Sequence, residues 1–161
     1  MKVYIKNKLM SVGGSSAVLN ENQESVFRVK GRVFSPTRVK WVCDLDGNKL
    51  FKIRNKWLNF FVHKAYIYDA DKNKICTVKD KWFNIHNEYF ILGYKDEIKI
   101  DGRFFSLRAN ILRNGQPFGS VRRQITIIRD AFELEANEED MPFLIAIVIA
   151  IDNITDKKYK S

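Results

Sequence analysis

The chain has 161 residues, 45 % of them hydrophobic, with 12 Phe, 6 Tyr and 3 Trp; this suits one packed domain over 1–161 and excludes a disordered chain. Three Pro and eight Gly exclude collagen-like and linker-like sequences. A formal net charge of +9, from 28 Lys and Arg against 19 Asp and Glu, favours polyanionic partners, although a Lys-rich surface also serves solubility.

From Met1 to about Ala136 short apolar alternations are separated by turn residues. Met1-Lys2-Val3-Tyr4-Ile5-Lys6 has no apolar run of signal-peptide length, so export is not expected. Val3 and Ile5, with Leu9 as an optional extension, predict a first strand, and Ser11 to Ser16 predicts a loop or wide turn. Val26 to Val33 alternates at period two, as a half-buried strand does. Asp46-Gly47-Asn48, Asp71-Lys72-Asn73, Asp101-Gly102 and Asn114-Gly115 each separate two strand-like runs, which predicts hairpins. Several short strands at this spacing mean a sandwich or a barrel.

An internal repeat supports that reading. Asn48 to Asn59 (NKLFKIRNKWLN) recurs 25 positions later as Asn73 to Asn84 (NKICTVKDKWFN), with weaker copies at Phe27–Phe34 and Gly119–Ile125. A unit of this size cannot bury its own face, so successive copies must pack together, and closure into a barrel removes exposed edges.

The C-terminal run Met141 to Ile151 is apolar on every side, preceded by Glu138, Glu139 and Asp140 and followed by Lys157, Lys158 and Lys160. As a helix from about Glu139 to Ile154 it would be capped by Asp140, with Pro142 in its first turn. Its 11 apolar residues fall well short of the roughly 20 that span a bilayer. A helix apolar all round must be enclosed by protein, and the predicted walls are Phe51, Ile53, Trp57, Val78 and Trp82. The Ile and Val content leaves a buried strand as the alternative.

Period two also sorts the charges. Where Phe27, Val29, Gly31 and Val33 face inward, Arg28, Lys30 and Arg32 face outward. In the next copy Lys52, Arg54 and Lys56 oppose Phe51, Ile53 and Trp57. In the third, Lys79 and Lys81 oppose Cys76, Val78 and Trp82. These eight bases are the candidate anion-binding residues, provided that the three strands lie near one another. Solvated, edge-protecting charge is the competing reading. Trp57 and Trp82 could instead stack on nucleic-acid bases, but their side of the strands makes them core.

Other chemistry finds little support. Asp44-Leu45-Asp46 and Asp69-Ala70-Asp71 resemble the start of a calcium loop, yet the sixth and twelfth positions hold Lys49 and Asn55, or Lys74 and Asp80, where Gly and Glu are required. Hairpin turns explain these acids better, and no metal site or cofactor is expected. His63 and His86 have no zinc or triad spacing, and Gly13-Gly14-Ser15-Ser16 lacks the ending of a phosphate-binding loop. Cys43 and Cys76 are 33 positions apart in apolar stretches, which predicts buried free thiols and suits a reducing cytoplasm.

Tyr4-Ile5-Lys6-Asn7-Lys8, Gly31-Arg32-Val33-Phe34-Ser35, the paired Lys56-Trp57-Leu58 and Lys81-Trp82-Phe83, and above all Leu144 to Asp152 (LIAIVIAID) resemble the LURP-one-related proteins over nearly the whole chain. The order and spacing of these segments carry the resemblance. It implies a mainly β, closed antiparallel barrel of the tubby-like kind, with about twelve strands around a central hydrophobic C-terminal helix. Tubby domains bind phosphoinositides and have been linked to transcription, and the related scramblases act on membranes; no phosphoinositide motif carries over here residue by residue. The expectation is a non-enzymatic cytoplasmic binding module, peripheral at a membrane, whose basic outer surface takes phosphoinositide or other anionic lipid headgroups. The alternatives are a nucleic-acid-associated regulatory protein and an enzyme acting on a small molecule.

Overall fold

The computed structural model describes residues 1–6, 14–57, 63–80, 88–102, 108–125 and 130–160. Twelve strands precede one long helix: β1 (Lys2–Lys6), β2 (Ser15–Asn20), β3 (Ser25–Gly31), β4 (Lys40–Cys43), β5 (Lys49–Asn55), β6 (Lys64–Tyr68), β7 (Lys74–Asp80), β8 (Tyr89–Leu92), β9 (Ile98–Gly102), β10 (Arg108–Arg113), β11 (Gln116–Ile125), β12 (Asp130–Ala136) and α1 (Met141–Lys160). The strands form one antiparallel sheet in the order β8-β7-β6-β5-β4-β3-β2-β1-β12-β11-β10-β9. Every neighbour is a sequence neighbour except β1 and β12, which pair from Lys2↔Glu135 to Lys6↔Ala131 and curl the sheet into a nearly closed barrel. The seam lies between β8 and β9.

Alternation decides what the barrel holds. Val3, Ile5, Val18, Ile53, Ala65, Ile67 and Val78 point inward and are fully buried. They meet α1, where no side chain from Phe143 to Ile151 exceeds 4 % exposure. The helix thus fills the lumen as the core element, and it runs further than the expected Ile154, to Lys160. Fully burying an Ile or Val contributes about 1.5–3 kcal/mol, so this run is the largest single source of apolar stabilisation in the fold. Among the described residues, no helix is long and apolar enough to cross a membrane.

The two ends of the barrel are built differently. At the helix-start end the strands are joined by tight turns. The Asp44 carboxylate accepts hydrogen bonds from Asn48 N at 2.8 Å and Asn48 Nδ2 at 2.7 Å, and Asp69 accepts the same two from Asn73 at 2.8 and 3.3 Å. These bonds lower the Asp44 pKa, the Asn48 side chain having the largest effect. The resemblance to calcium loops is therefore the signature of a repeated hairpin turn. Asp140 precedes α1 as expected, and its carboxylate receives Arg113 Nη2 at 2.7 Å. Arg113 also lies 4.1 Å from the Phe118 ring, and Phe143 stacks on Tyr94 at 4.5 Å.

The helix-finish end is closed by polar groups. Asn55 Nδ2 donates to Asn153 O and Asn153 Nδ2 donates to Arg38 O, each at 3.0 Å. Lys40 Nζ, nearly buried, pairs with Asp152 at 3.8 Å. His63 Nδ1 lies 3.3 Å from Asp80 Oδ2, while His63 N donates to Asp80 Oδ1 at 2.9 Å.

Two expectations about the core are corrected here. Trp57 is 58 % exposed and forms no part of the wall, because β5 ends at Asn55. Asn55 takes the next inward position after Ile53 and turns its amide to the helix, which stops the alternation before Trp57. Val33, expected to face inward on a strand reaching that far, is 56 % exposed, since β3 ends at Gly31. Ser15 and Ser16, read as loop, open β2. Leu9, Trp82 and His86 lie outside the described residues.

Candidate anion-binding face

The bases of the repeat share the outer face of β3 to β7 but do not sit on neighbouring strands. Arg28 and Lys30 are on β3, Lys52 and Arg54 on β5, and Lys79 on β7. With strands about 4.8 Å apart, these alternate strands stand roughly 10 Å from one another. Arg32 and Lys56 are exposed just beyond the ends of β3 and β5, at the helix-finish end. Lys81 lies outside the described residues.

The strands between supply aromatic side chains, which the repeat does not include. The ladder places Lys30 opposite Trp41, Trp41 opposite Lys52 and Lys52 opposite Tyr68, so one outward row runs base, Trp, base, Tyr across β3 to β6. A second row sets Arg54 opposite Tyr66. The cations lie over these rings: Lys49 Nζ is 4.8 Å from the Trp41 ring centre, Lys52 Nζ 5.7 Å from that of Tyr68, and Lys74 Nζ 5.4 Å from that of Tyr66. The Arg54 guanidinium is 5.6 Å from both Tyr66 and Tyr68, and its Nε donates to Tyr68 Oη at 3.0 Å. Ring faces hold the cations in place while leaving N–H donors directed elsewhere, because a π-face satisfies charge without consuming a hydrogen bond. Hairpin pairing, which the repeat alone does not specify residue by residue, is what brings Trp41, Tyr66 and Tyr68 beside the bases.

Beneath this face lies Cys43, buried and without a disulfide. Burial raises its thiol pKa, an effect partly offset by the nearby Lys30 and Lys49. Cys76 is buried inside the barrel, and desolvation pushes its pKa up to about 12. Both cysteines are therefore buried free thiols, as expected.

A groove lies elsewhere, on the outer side of β9 to β12. It encloses about 620 Å³ and mixes charge, with Asp101 and Glu135 beside Arg108, Asn110 and Ser120. A groove of about 590 Å³ follows the seam between β8 and β9, lined in part by Phe90, Leu92, Lys99 and Ile100. The first mixes both signs and the second is mainly acidic, with Glu88, Glu97 and Asp101 against Lys99, so the basic face remains the candidate for anions. Among the described residues no group of three or more His, Cys, Asp or Glu could hold a metal ion.

A twelve-stranded, nearly closed antiparallel barrel filled by a C-terminal hydrophobic helix defines the tubby-like class of fold. The family model described as LURP-one-related matches residues 1–152, and the chain belongs to that family. An X-ray structure of a protein from Arabidopsis thaliana is similar, with a TM-score of 0.61 and 15 % sequence identity over 96 % of this chain and 90 % of that one. At that identity the likeness speaks for the fold alone. No curated protein matches the chain.

Proposed function

We propose that the protein is a non-enzymatic, cytoplasmic binding module that docks on anionic lipid headgroups through the outer face of β3 to β7. The observation that carries this reading is the alternation of cations and rings across those strands, Lys30–Trp41–Lys52–Tyr68 with Arg54 and Lys74 around Tyr66. An open row of bases on the outside of the barrel suits a surface of phosphates better than one enclosed small molecule, and each base near an anionic membrane contributes about 1 kcal/mol. The helix fills the lumen, so binding is assigned to the outside of the barrel. Nucleic acid shares the charge requirement, but on this face the rings that would stack on bases, Trp41, Tyr66 and Tyr68, carry cations, which leaves exposed Trp57 at the rim as the stacking candidate.

Sedimentation with vesicles tests the reading. The protein is expected to pellet with vesicles containing phosphatidylserine or phosphoinositide and to stay in solution with phosphatidylcholine alone. Equal, negligible pelleting with both would remove the lipid reading. Tighter, steeply salt-dependent binding to an oligonucleotide would favour the nucleic-acid alternative.

A further inference from the structure

We infer that the helix-finish rim of the barrel inserts Phe34 and Trp57 into the interface of the anionic bilayer; this rests on the lipid-surface reading above and adds its orientation and depth. Phe34 is 98 % exposed and Trp57 58 %, with Val33 beside them at 56 %. Phe34 also holds φ at +57°, a left-handed conformation that a bulky side chain rarely adopts. An aromatic ring kept in a strained conformation and pushed fully into solvent contributes nothing to the core. It is what a contact outside the molecule would require.

The rim is built as a fixed platform. Arg32 N donates to Val39 O at 3.0 Å, Arg38 N to Ser35 O at 3.0 Å, Val39 N to Ser35 Oγ at 3.0 Å and Asn55 N to Thr37 O at 2.7 Å. Asn153 Nδ2 ties Arg38 O to the helix. These bonds join the segment bearing Phe34 to the end of β5, two residues before Trp57. Little further ordering is then needed on binding.

Charge is segregated along the barrel axis and selects the occupant. The helix-start turns carry Asp44, Asp46, Asp69, Asp71, Asp96 and Glu97 against Lys72 and Lys95, and Glu138 to Asp140 lead into the helix. At the other rim Arg32 and Lys56 flank the aromatics, with Arg54, Lys64 and Lys79 on the adjoining strand ends, while Lys30 Nζ reaches back to the Gly47 turn. Of the acids there, Asp80 is bonded to His63 and Asp152 pairs with Lys40, Glu88, Asp101 and Asp130 stand at strand ends farther round the rim, and Asp156 lies on the last turns of α1 among Lys157, Lys158 and Lys160. An apolar tip inside a basic collar matches the headgroup layer of an anionic membrane, where aromatics sit at the interface and bases meet phosphates. A second copy docked tip to tip would set Arg32 and Lys56 against like charges.

Vesicles of phosphatidylserine and brominated phosphatidylcholine test the insertion. Trp57 fluorescence is expected to be quenched by bromine on the acyl chains, and Trp57→Phe should lose that component of the quenching. Phe34→Asn should weaken partition about tenfold with a thermal midpoint unchanged or raised, because Asn accepts a positive φ readily. If wild type binds but is not quenched and Phe34→Asn binds equally well, insertion is wrong and the surface reading stands. If wild type binds no vesicle, both fall. A dimer in light scattering that Phe34→Asn dissociates, with vesicle binding unaffected, would assign the tip to a second copy and overturn the insertion.

Discussion

The two ends of the barrel solve the same problem, closing a lumen around an apolar helix, with different chemistry. At the helix-start end Tyr94, Phe118 and Phe143 pack under Arg113, which grips Asp140. The flanking turns hold their own acids through Asn48 and Asn73. At the helix-finish end a buried amide pair, Asn55 and Asn153, and the ion pair Lys40–Asp152 take the place of rings. Among the described residues three buried side-chain atoms lack a hydrogen-bond partner: Asn55 Oδ1 and Asn153 Oδ1 at this end, and Arg113 Nε at the other. The helix-start end is thus acidic and closed by rings. The helix-finish end is basic, carries exposed aromatics and holds two of the three unpartnered atoms. In proteins that combination marks the end where stability gives way to function.

The largest effect should come from the element that serves both ends. Ile147→Asp places an unpaired charge at a fully buried site, which costs several kcal/mol against a total stability of about 5–15 kcal/mol. The variant should aggregate or lose its cooperative thermal transition. A soluble, cooperatively folding chain ending at Ala136 would equally contradict the helix-filled core.

The ends can then be weakened separately. Arg113→Met removes a charge-assisted bond to Asp140 while keeping a cover over Phe118, and should cost about 2 kcal/mol in denaturant unfolding. Asn153→Ala removes the donor to Arg38 O but also the unsatisfied Oδ1, so its cost should be nearer 1 kcal/mol. If the two costs came out reversed, the Arg113–Asp140 bond would not be the stronger of the two closures.

A pH effect follows from Cys76. Its folded pKa of about 12 lies above the reference value of 9.0, so burial holds it protonated when an unfolded thiol would ionise. The stability associated with that proton is fully present below pH 9 and is lost as pH climbs from 9 towards 12. By pH 10 the loss should be about 1 kcal/mol, and Cys76→Ala should flatten the dependence. In the native state neither cysteine should react with a thiol reagent at pH 8.

The smallest effect compares the repeated turns. Gly47 holds φ at +90° and Lys72, its counterpart 25 positions on, at +69°. Lys72→Gly should therefore stabilise by a few tenths to about 1 kcal/mol, whereas Gly47→Ala should destabilise.

How legible the fold was follows from which interactions are local. The hairpins and the helix were readable because period-two alternation, Asp-and-Asn turns and an apolar run between charges each occupy consecutive residues. Trp57 was misread because alternation was extended past Asn55, and the bond that ends the strand goes to Asn153, 98 positions away. The basic half of the candidate face was readable in the repeat, as Lys52, Arg54 and Lys79 show. Its aromatic half was not, because Trp41, Tyr66 and Tyr68 lie on strands outside the repeat and meet the bases only through pairing.

In the proposed function, local arrangement and not net charge makes the β3-to-β7 face bind anionic lipid. Two double variants separate these. Lys52→Glu with Arg54→Glu reverses two bases on the face, and Lys72→Glu with Lys95→Glu reverses two on the helix-start turns; each lowers the formal charge by 4, from +9 to +5. At about 1 kcal/mol per base, the face variant should bind phosphatidylserine vesicles at least thirtyfold more weakly, and the turn variant should stay within a few-fold of wild type. Equal losses in the two variants would reduce the interaction to net charge and contradict the claim.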